Sequence, residues 1–202
     1  MCANEFSVNE ITLPLSQFNS RDFSFLDYVS GLTSTSESGL SSTLQCLQFE
    51  KVLKSVDFPD LNSPTAIGLV DDIRKDHREI EVILDWLYEK KGVREIINLK
   101  VPDRLYSPHQ ASIVRRFVKQ FKVENLDWRR LDLHLTQYDD DWNPLPPDWA
   151  ASLKRLSLYS SGDSSVHDHW LSELGKLNAQ GLQAVDIMVV EVSTNTAFLL
   201  PS

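Results

Sequence analysis

The segment LYSSGDSSVHDHW, residues 158–170, gathers side chains of the types that serve as nucleophile, acid and base. Its candidate catalytic residues are His167, His169 and Asp163. Apolar residues recur at helical spacing over 166–177, which predicts a helix after a polar turn. Residues two apart on a helix lie about 200° apart around its axis, so the two imidazoles should face opposite ways. They could not close on one metal ion, and we expect no metal site.

The serines of this segment have a structural interpretation. Ser164 or Ser165 suits the N-cap position of the predicted helix. The block GDSS (162–165) resembles the Gly-Asp-Ser block of one esterase superfamily, which normally lies near the start of the catalytic domain, with an Asp-x-x-His near its end. Here the block comes late, and no Asp-x-x-His follows it. We therefore expect a cap rather than a nucleophile.

Hydrophobic periodicity predicts the elements that position these side chains. Strands should start near residues 93, 123, 155 and 183, with a helix between each pair. This alternation predicts an α/β fold with a mainly parallel sheet of about four strands. The alternative is a leucine-rich-repeat-like arc, because the phrases LDWRRLDLHL and LKRLSLYSSG resemble its strand repeat. Both phrases lack the customary asparagine, which favours the open sheet.

The helix predicted for SPHQASIVRRFVKQF, residues 107–121, has clear start signals. Ser107 should be its cap, Pro108 suits the first helical position, and Gln110 would complete a capping box. A charged His109 in the first turn would oppose the helix dipole. We therefore expect His109 to be neutral and exposed.

Ligands of open parallel sheets bind beyond the carboxyl ends of the strands. The candidate binding residues are therefore Asp103, after the first predicted strand, and Ser160, Ser161 and Asp163, after the third. An acid–base site would need Asp103, Asp163 and one of the two histidines within reach of one substrate. The interpretation that the sequence favours is that these are ordinary polar loop residues.

Two further features could be polar sites. His134 alternates with Leu133 and Leu135, so it should lie on the less apolar face of the second strand. The acidic run at 139–141 could offer oxygen ligands to a divalent cation. Consecutive carboxylates rarely converge on one ion, however, so a solvated loop is expected there.

The first 60 residues differ in composition from the rest. Within 29–43, eleven of fifteen residues are Ser, Thr or Gly, which is typical of a linker. Apolar patterns at 21–32 and 42–56 predict short helices on either side. We expect a short helical, Ser-rich N-terminal region at 1–60, which could dock on a partner, and an α/β domain at 61–202.

Composition limits the functional classes. The net charge of −9 argues against a surface for nucleic acid or anionic lipid. Cys2 and Cys46 have no metal-like spacing, and two thiols suggest a reducing compartment. No signal peptide is visible, and no apolar run approaches the roughly 20 residues that cross a bilayer. We expect a cytoplasmic protein that uses no cofactor and binds neither nucleic acid nor membrane.

Three phrases occur in order along the chain: ILDWLYEKKGVREIINLKVPDRLYSPH, VENLDWRRLDLHL and LKRLSLYSSGDSSVHDHW. Over roughly residues 44–190 their succession resembles the region that precedes the catalytic domain in fungal subtilisin-like serine proteases. That resemblance implies an accessory module. The Asp-[Ser/Thr]-Gly, His-Gly-Thr and Gly-Thr-Ser-Met-Ala blocks of the protease are absent from this sequence, so no triad residue is assigned.

A regular βα pattern without a convergent reactive group predicts a non-catalytic module for protein interaction or regulation. It would bind a protein partner or a second copy of itself. The alternative is a small stand-alone enzyme with an acid–base site at the carboxyl ends of the strands.

Overall fold

The computed structural model describes five stretches of the 202-residue chain, namely 7–12, 48–58, 79–103, 108–138 and 141–190. Several predictions fall outside these stretches. They are the helix at 21–32, the linker at 29–43, the cap at Ser107, and Asp139 and Asp140 of the acidic run.

The described elements alternate between strands and helices. The strands, in chain order, are β1 (Ser7–Val8), β2 (Glu10–Thr12), β3 (Gln48–Phe49), β4 (Val52–Asp57), β5 (Glu95–Val101), β6 (Asn125–Leu131), β7 (Gln137–Tyr138), β8 (Pro144–Leu145), β9 (Arg155–Ser160) and β10 (Ala184–Val189). The helices are α1 (Glu79–Glu89), α2 (Ala111–Gln120) and α3 (Ser164–Ala179), and a 3₁₀ turn spans Asp148–Ala150.

Six strands form one parallel sheet in the order β2-β4-β5-β6-β9-β10. This spatial order is the order along the chain, so every crossover steps in the same direction. Right-handed crossovers that all step one way place their helices on one face of the sheet. The predicted α/β class with a mainly parallel sheet is confirmed. The singly wound order matches the leucine-rich-repeat-like alternative rather than a sheet with a topological switch point.

One apolar row crosses all six strands. It is formed by residues paired in register, Ile11, Val56, Leu99, Leu126, Leu156 and Val185. For five of these six residues, the residue three positions earlier in the sequence is also apolar and buried. These five earlier residues are Leu53, Ile96, Val123, Leu153 and Leu182. Two positions after the same five residues of the row stand Phe58, Val101, Trp128, Leu158 and Ile187, of which only Ile187 is exposed. The same three-position apolar phrase therefore recurs in each of these strands.

The helices cover the face that carries this row. Buried residues of α1, α2 and α3 belong to the same core cluster as the strand phrases. They include Leu84 and Leu87, Phe117 and Val118, and Trp170. No described helix covers the opposite face, whose side chains, such as Asn98, Lys100 and Arg155, are half-buried or exposed.

The helix predicted at 42–56 is wrong where the structure describes that range. Residues 48–49 form strand β3 and Val52–Asp57 form strand β4. The spacing of Leu53 and Val56 fits either element, and pairing along β5 decides for the strand. Strands β2 and β4 thus join the main sheet, while the domain boundary near residue 60 stays a prediction.

Strand β6 ends earlier than its alternating pattern predicts. It stops at Leu131, and Asp132 adopts a positive φ of 53° that turns the chain out of the sheet. The Asp132 N–H donates to the Tyr159 carbonyl at 2.8 Å, which fixes that turn. His134 therefore lies in the loop after the strand rather than on a sheet face.

Two helix caps also differ from prediction. Helix α2 begins at Ala111 with Gln110 at its N-cap, and no side chain caps it, so the expected capping box does not form. Helix α3 is capped by Asp163 rather than by Ser164 or Ser165. The Asp163 carboxylate accepts hydrogen bonds from the Ser165 N–H at 2.9 Å and its hydroxyl at 2.8 Å.

The apolar row should dominate stability. Leu156→Ala, at a fully buried position of the row, should lower the free energy of unfolding by about 2–5 kcal/mol because it leaves a cavity. Leu171→Ala is the matched control, since this leucine on α3 is 75% exposed. Urea denaturation of both variants tests this, and equal losses would contradict the assigned core.

Candidate functional site

The face of the sheet that no described helix covers carries two polar rows, which we call the polar face. One row pairs Glu10, Ser55, Asn98, Asn125, Arg155 and Ala184 across the six strands. The other pairs Thr12, Asp57, Lys100, Asp127, Ser157 and Asp186. Side chains alternate between faces along a strand, so the apolar row between these two points to the core.

Hydrogen bonds between neighbouring strands hold the polar face in place. The Asn125 amide donates from Nδ2 to Oδ1 of Asn98 at 2.8 Å, and Asn98 Nδ2 donates to the Lys54 carbonyl at 2.7 Å. Arg155 Nε lies 2.7 Å from Oδ2 of Asp186 on the edge strand β10. The side chains are thus ordered by partners within the sheet itself.

A tyrosine extends this network toward the carboxyl ends of the strands. The Tyr159 hydroxyl donates to Asp127 Oδ1 at 2.6 Å. Burial raises the pKa of Tyr159 to about 12, and the Asp127 carboxylate contributes to that shift. Tyr159 therefore stays a neutral donor at physiological pH, and it holds Asp127 in one orientation.

The polar face is shallow and carries both signs of charge. Its central depression has a volume of about 210 Å³ and is lined by strands β4, β5, β6 and β9. Pockets that enclose drug-sized ligands run to roughly 300–1,000 Å³, so this one suits contact with a larger partner. Four carboxylates and two cations stand in the two rows: Glu10, Asp57, Asp127, Asp186, Lys100 and Arg155.

The candidate binding residues at the carboxyl ends of the strands do not form one site. Asp103 is 2% exposed, and its carboxylate accepts from the His109 N–H at 3.0 Å and from Trp128 Nε1 at 2.9 Å. The His109 ring Nδ1 lies 2.8 Å from the same carboxylate. The prediction that His109 is exposed is wrong, because helix α2 starts after it and the ring packs inward at 7% exposure.

Ser160 and Ser161 stabilise the turn into α3. The Ser160 side chain is fully buried, and its Oγ lies 2.7 Å from His167 Nε2 and accepts from the Gly162 N–H at 2.9 Å. The Ser161 N–H donates to Asp132 Oδ1 at 3.0 Å, which joins two loops. Because the Ser160 hydroxyl is buried, it is not accessible to a substrate. Its contact with His167 connects strand β9 to helix α3.

The second candidate imidazole has different neighbours. His169 stacks on His134 with ring centroids 3.9 Å apart, and its Nε2 accepts from the Leu135 N–H at 3.1 Å. His167 instead contacts strand β9 through Ser160, so the two rings serve different contacts. Within the described residues, no group of three or more His, Cys, Asp or Glu side chains could hold a metal ion.

The sequence patterns missed the polar face as a site. Its residues stand between the apolar positions of the strand phrase, where they read as ordinary solvent-facing side chains. The usable signal was the repeat itself, which recurs around Leu53, Ile96 and Leu182 as well as in the two phrases first noticed. A repeat in every strand predicts a sheet with one uncovered face.

Comparison with known proteins gives no relative. No family model, no curated protein and no solved structure matches the chain. None of the helices in the described stretches is long and apolar enough to cross a membrane.

The buried hydrogen bonds that Asp103 accepts from His109 and Trp128 should contribute strongly to the free energy of unfolding. Asp103→Ala leaves the buried donors of His109 and Trp128 without an acceptor, which should cost about 1–3 kcal/mol for each unsatisfied group. Asp168→Ala, at an exposed position on α3, is the control and should leave unfolding unchanged. Chemical denaturation measures both, and an Asp103 variant as stable as wild type would contradict the buried network.

Stability should also depend on His169 through pH. Burial lowers the pKa of His169 below its ordinary value of 6.5, nearby His134 and Lys176 lower it further, and Glu173 opposes them. The unfolded chain therefore binds a proton at this histidine more tightly than the folded chain does. The contribution of neutral His169 to the free energy of unfolding is complete above about pH 6.5 and is lost as the pH falls below it.

The variant His169→Gln tests this. Its amide oxygen can still accept from the Leu135 N–H, but it does not titrate. When the pH is lowered from 7.5 to 5.5, the free energy of unfolding should fall more for the wild type than for His169→Gln. The exposed Leu171→Ala variant should keep the wild-type slope, and a parallel slope for His169→Gln would refute the assignment.

Proposed function

We propose that the chain is a non-catalytic protein-interaction module that binds a protein partner through the polar face of its sheet. The observation that carries the proposal is that face itself, with six strands in register and side chains ordered by Asn125–Asn98 and Arg155–Asp186 contacts. Side chains already fixed in position lose less conformational entropy when a partner binds.

The shape and charge of the face support a macromolecular partner. An open depression of about 210 Å³ offers surface rather than enclosure. Alternating charges such as Asp57, Lys100 and Asp127 in one row favour a partner with a complementary pattern, and such patterns contribute mainly to specificity. Repeat proteins with one continuous sheet bind partners across surfaces of this kind.

The acid–base alternative has no support in the described contacts. Asp103 is engaged by His109 and Trp128 in the core, whereas Asp163 caps helix α3. His109 is the imidazole beside a carboxylate, but the two side chains are 4% and 1% exposed. We also propose a relation to the accessory region of fungal subtilisin-like proteins, since that region is non-catalytic and the described residues of this chain form no reactive centre.

Photo-crosslinking from the polar face tests the proposal. A benzophenone amino acid at Ser157, on the face, should give one discrete crosslinked product in cells that express the chain. The same amino acid at Ser172, an exposed residue of α3, is the matched control and should give none. A product of twice the chain mass would identify a second copy as the partner.

A second substitution tests whether the contact is specific. Asn125→Arg places an unpaired charge and extra volume in the middle of the face, and should weaken binding of the crosslinked partner by about tenfold or more. Equal crosslinking from Ser157 and Ser172, or no effect of Asn125→Arg, would contradict the proposal.

A further inference from the structure

A second cavity lies between α2, strand β7 and the 3₁₀ turn at Asp148–Ala150. Its volume is about 290 Å³, near the lower end of the range for ligand sites, roughly 300–1,000 Å³. None of its lining residues belongs to the polar face, so this cavity is separate from the proposed binding surface.

The charge of this cavity is opposite to that of the whole chain. The sequence has 29 acidic and 20 basic residues, yet the described residues that line the cavity include three cations of α2 and no carboxylate. These cations are Arg115, Arg116 and Lys119. The other polar side chains in the wall, on Ser112, Gln137, Tyr138 and Trp149, can all donate hydrogen bonds. The wall is therefore suited to accept an anion.

Among the described residues, Arg115 is the cation of this cavity that forms no ion pair with a carboxylate. Arg116 lies 3.4 Å from both Glu81 and Asp85, and Lys119 lies 2.6 Å from Asp148. In the described part of the chain the guanidinium of Arg115 donates only to the His134 carbonyl, at 2.8 Å. Four of its five N–H groups are therefore available to a ligand.

The surroundings of Arg115 disfavour its positive charge relative to water. The side chain is half-buried, and burial lowers the pKa of its guanidinium. The positive charge of Arg130 nearby lowers that pKa further. A bound anion would offset both effects, because it supplies the opposite charge in a place with little water.

A tryptophan supplies an independent sign of an unmet acceptor. Trp149 lines the cavity and is 2% exposed, and its indole Nε1 is buried without a hydrogen-bond partner. Buried donors in folded proteins nearly always have an acceptor, so an orphaned one needs an explanation. Because Trp149 lines the cavity, an anion bound there is a candidate acceptor for this group.

We propose that this cavity binds a phosphate-type oxyanion, with Arg115 as its principal ligand. The planar fork of a guanidinium matches two oxygens of such an ion. Ser112, one helical turn before Arg115, and Trp149 also line the cavity, and both side chains carry a hydrogen-bond donor. The ion could be free phosphate or the phosphoryl group of an ester, and both share this chemistry.

Titration with phosphorus NMR detection tests the site. Inorganic phosphate and O-phosphoserine are each added to the whole chain at fixed ionic strength and pH. We expect a dissociation constant of about 1 mM or lower for at least one of them. Tighter binding of O-phosphoserine assigns the site to a phosphoryl ester, and equal or weaker binding assigns it to the free ion.

Three variants separate the site from general charge effects. Arg115→Gln should raise the dissociation constant by about tenfold or more, because it removes the charged donor. Lys122→Gln removes one positive charge from a pair with Glu95 and should change it by less than about twofold. Trp149→Phe keeps the ring but not the N–H, and should weaken binding while the fold is retained.

Two results of the phosphate titrations would contradict the proposed site. Absence of binding by both probes, or equal losses in Arg115→Gln and Lys122→Gln, would overturn it. If Arg115→Gln does not fold by circular dichroism, Arg115→Lys replaces it, since lysine keeps the charge and loses the fork. Failure here leaves the interaction proposed for the polar face untouched, because that face shares no residue with the cavity.

Discussion

Burial of one face of a singly wound sheet is the constraint on which the rest of this molecule depends. The apolar row from Ile11 to Val185 runs through every strand of the sheet, and its central members are at most 2% exposed. Each such side chain contributes about 1.5–3 kcal/mol when it leaves water. All three described helices lie on this face, because right-handed crossovers that always step to the next strand in the same direction place their helices on one side of the sheet.

The uncovered face follows from the same constraint. A doubly wound sheet buries both faces and forms its ligand site at a switch point, whereas this sheet has neither a second helix layer nor a switch point in its described part. Its polar rows must instead be satisfied by one another and by solvent. The Asn125–Asn98 and Tyr159–Asp127 hydrogen bonds achieve this across three strands. Order on that face thus comes from the sheet and not from a covering element.

Much of the architecture was readable from the sequence. Strands starting near 93, 123, 155 and 183 correspond to β5, β6, β9 and β10, because long periodic segments leave little ambiguity. Strand β4 was misassigned, since Leu53 and Val56 fit a helix as well as a strand when no neighbour is known. His109 was misassigned because the contact with Asp103 outweighs the local capping signals around Pro108.

The candidate site was less predictable than the fold. Ser160, His167 and Asp163 are close in sequence and are of the types that serve as nucleophile, base and acid. In the structure, however, buried Ser160 contacts His167, and Asp163 caps helix α3. The polar face and the cavity around Arg115 unite residues that are far apart in the chain. Asn98 and Asn125 meet only through strand register, and Arg115 meets Trp149 only because α2 packs beside the 3₁₀ turn. Contacts between residues so far apart in the chain cannot be predicted from local sequence patterns.

Agreement between the order of strands in space and the order along the chain has a consequence for how the fold is lost. Each strand depends on its two nearest neighbours in sequence, so the cooperative unit is a chain of adjacent couplings rather than a single interlocked core. Opening then proceeds inward from β2 and β10, and amide protons in β5 and β6 exchange last. The middle of the sheet, where the polar face is most ordered, is thereby the last part of the molecule to lose its shape.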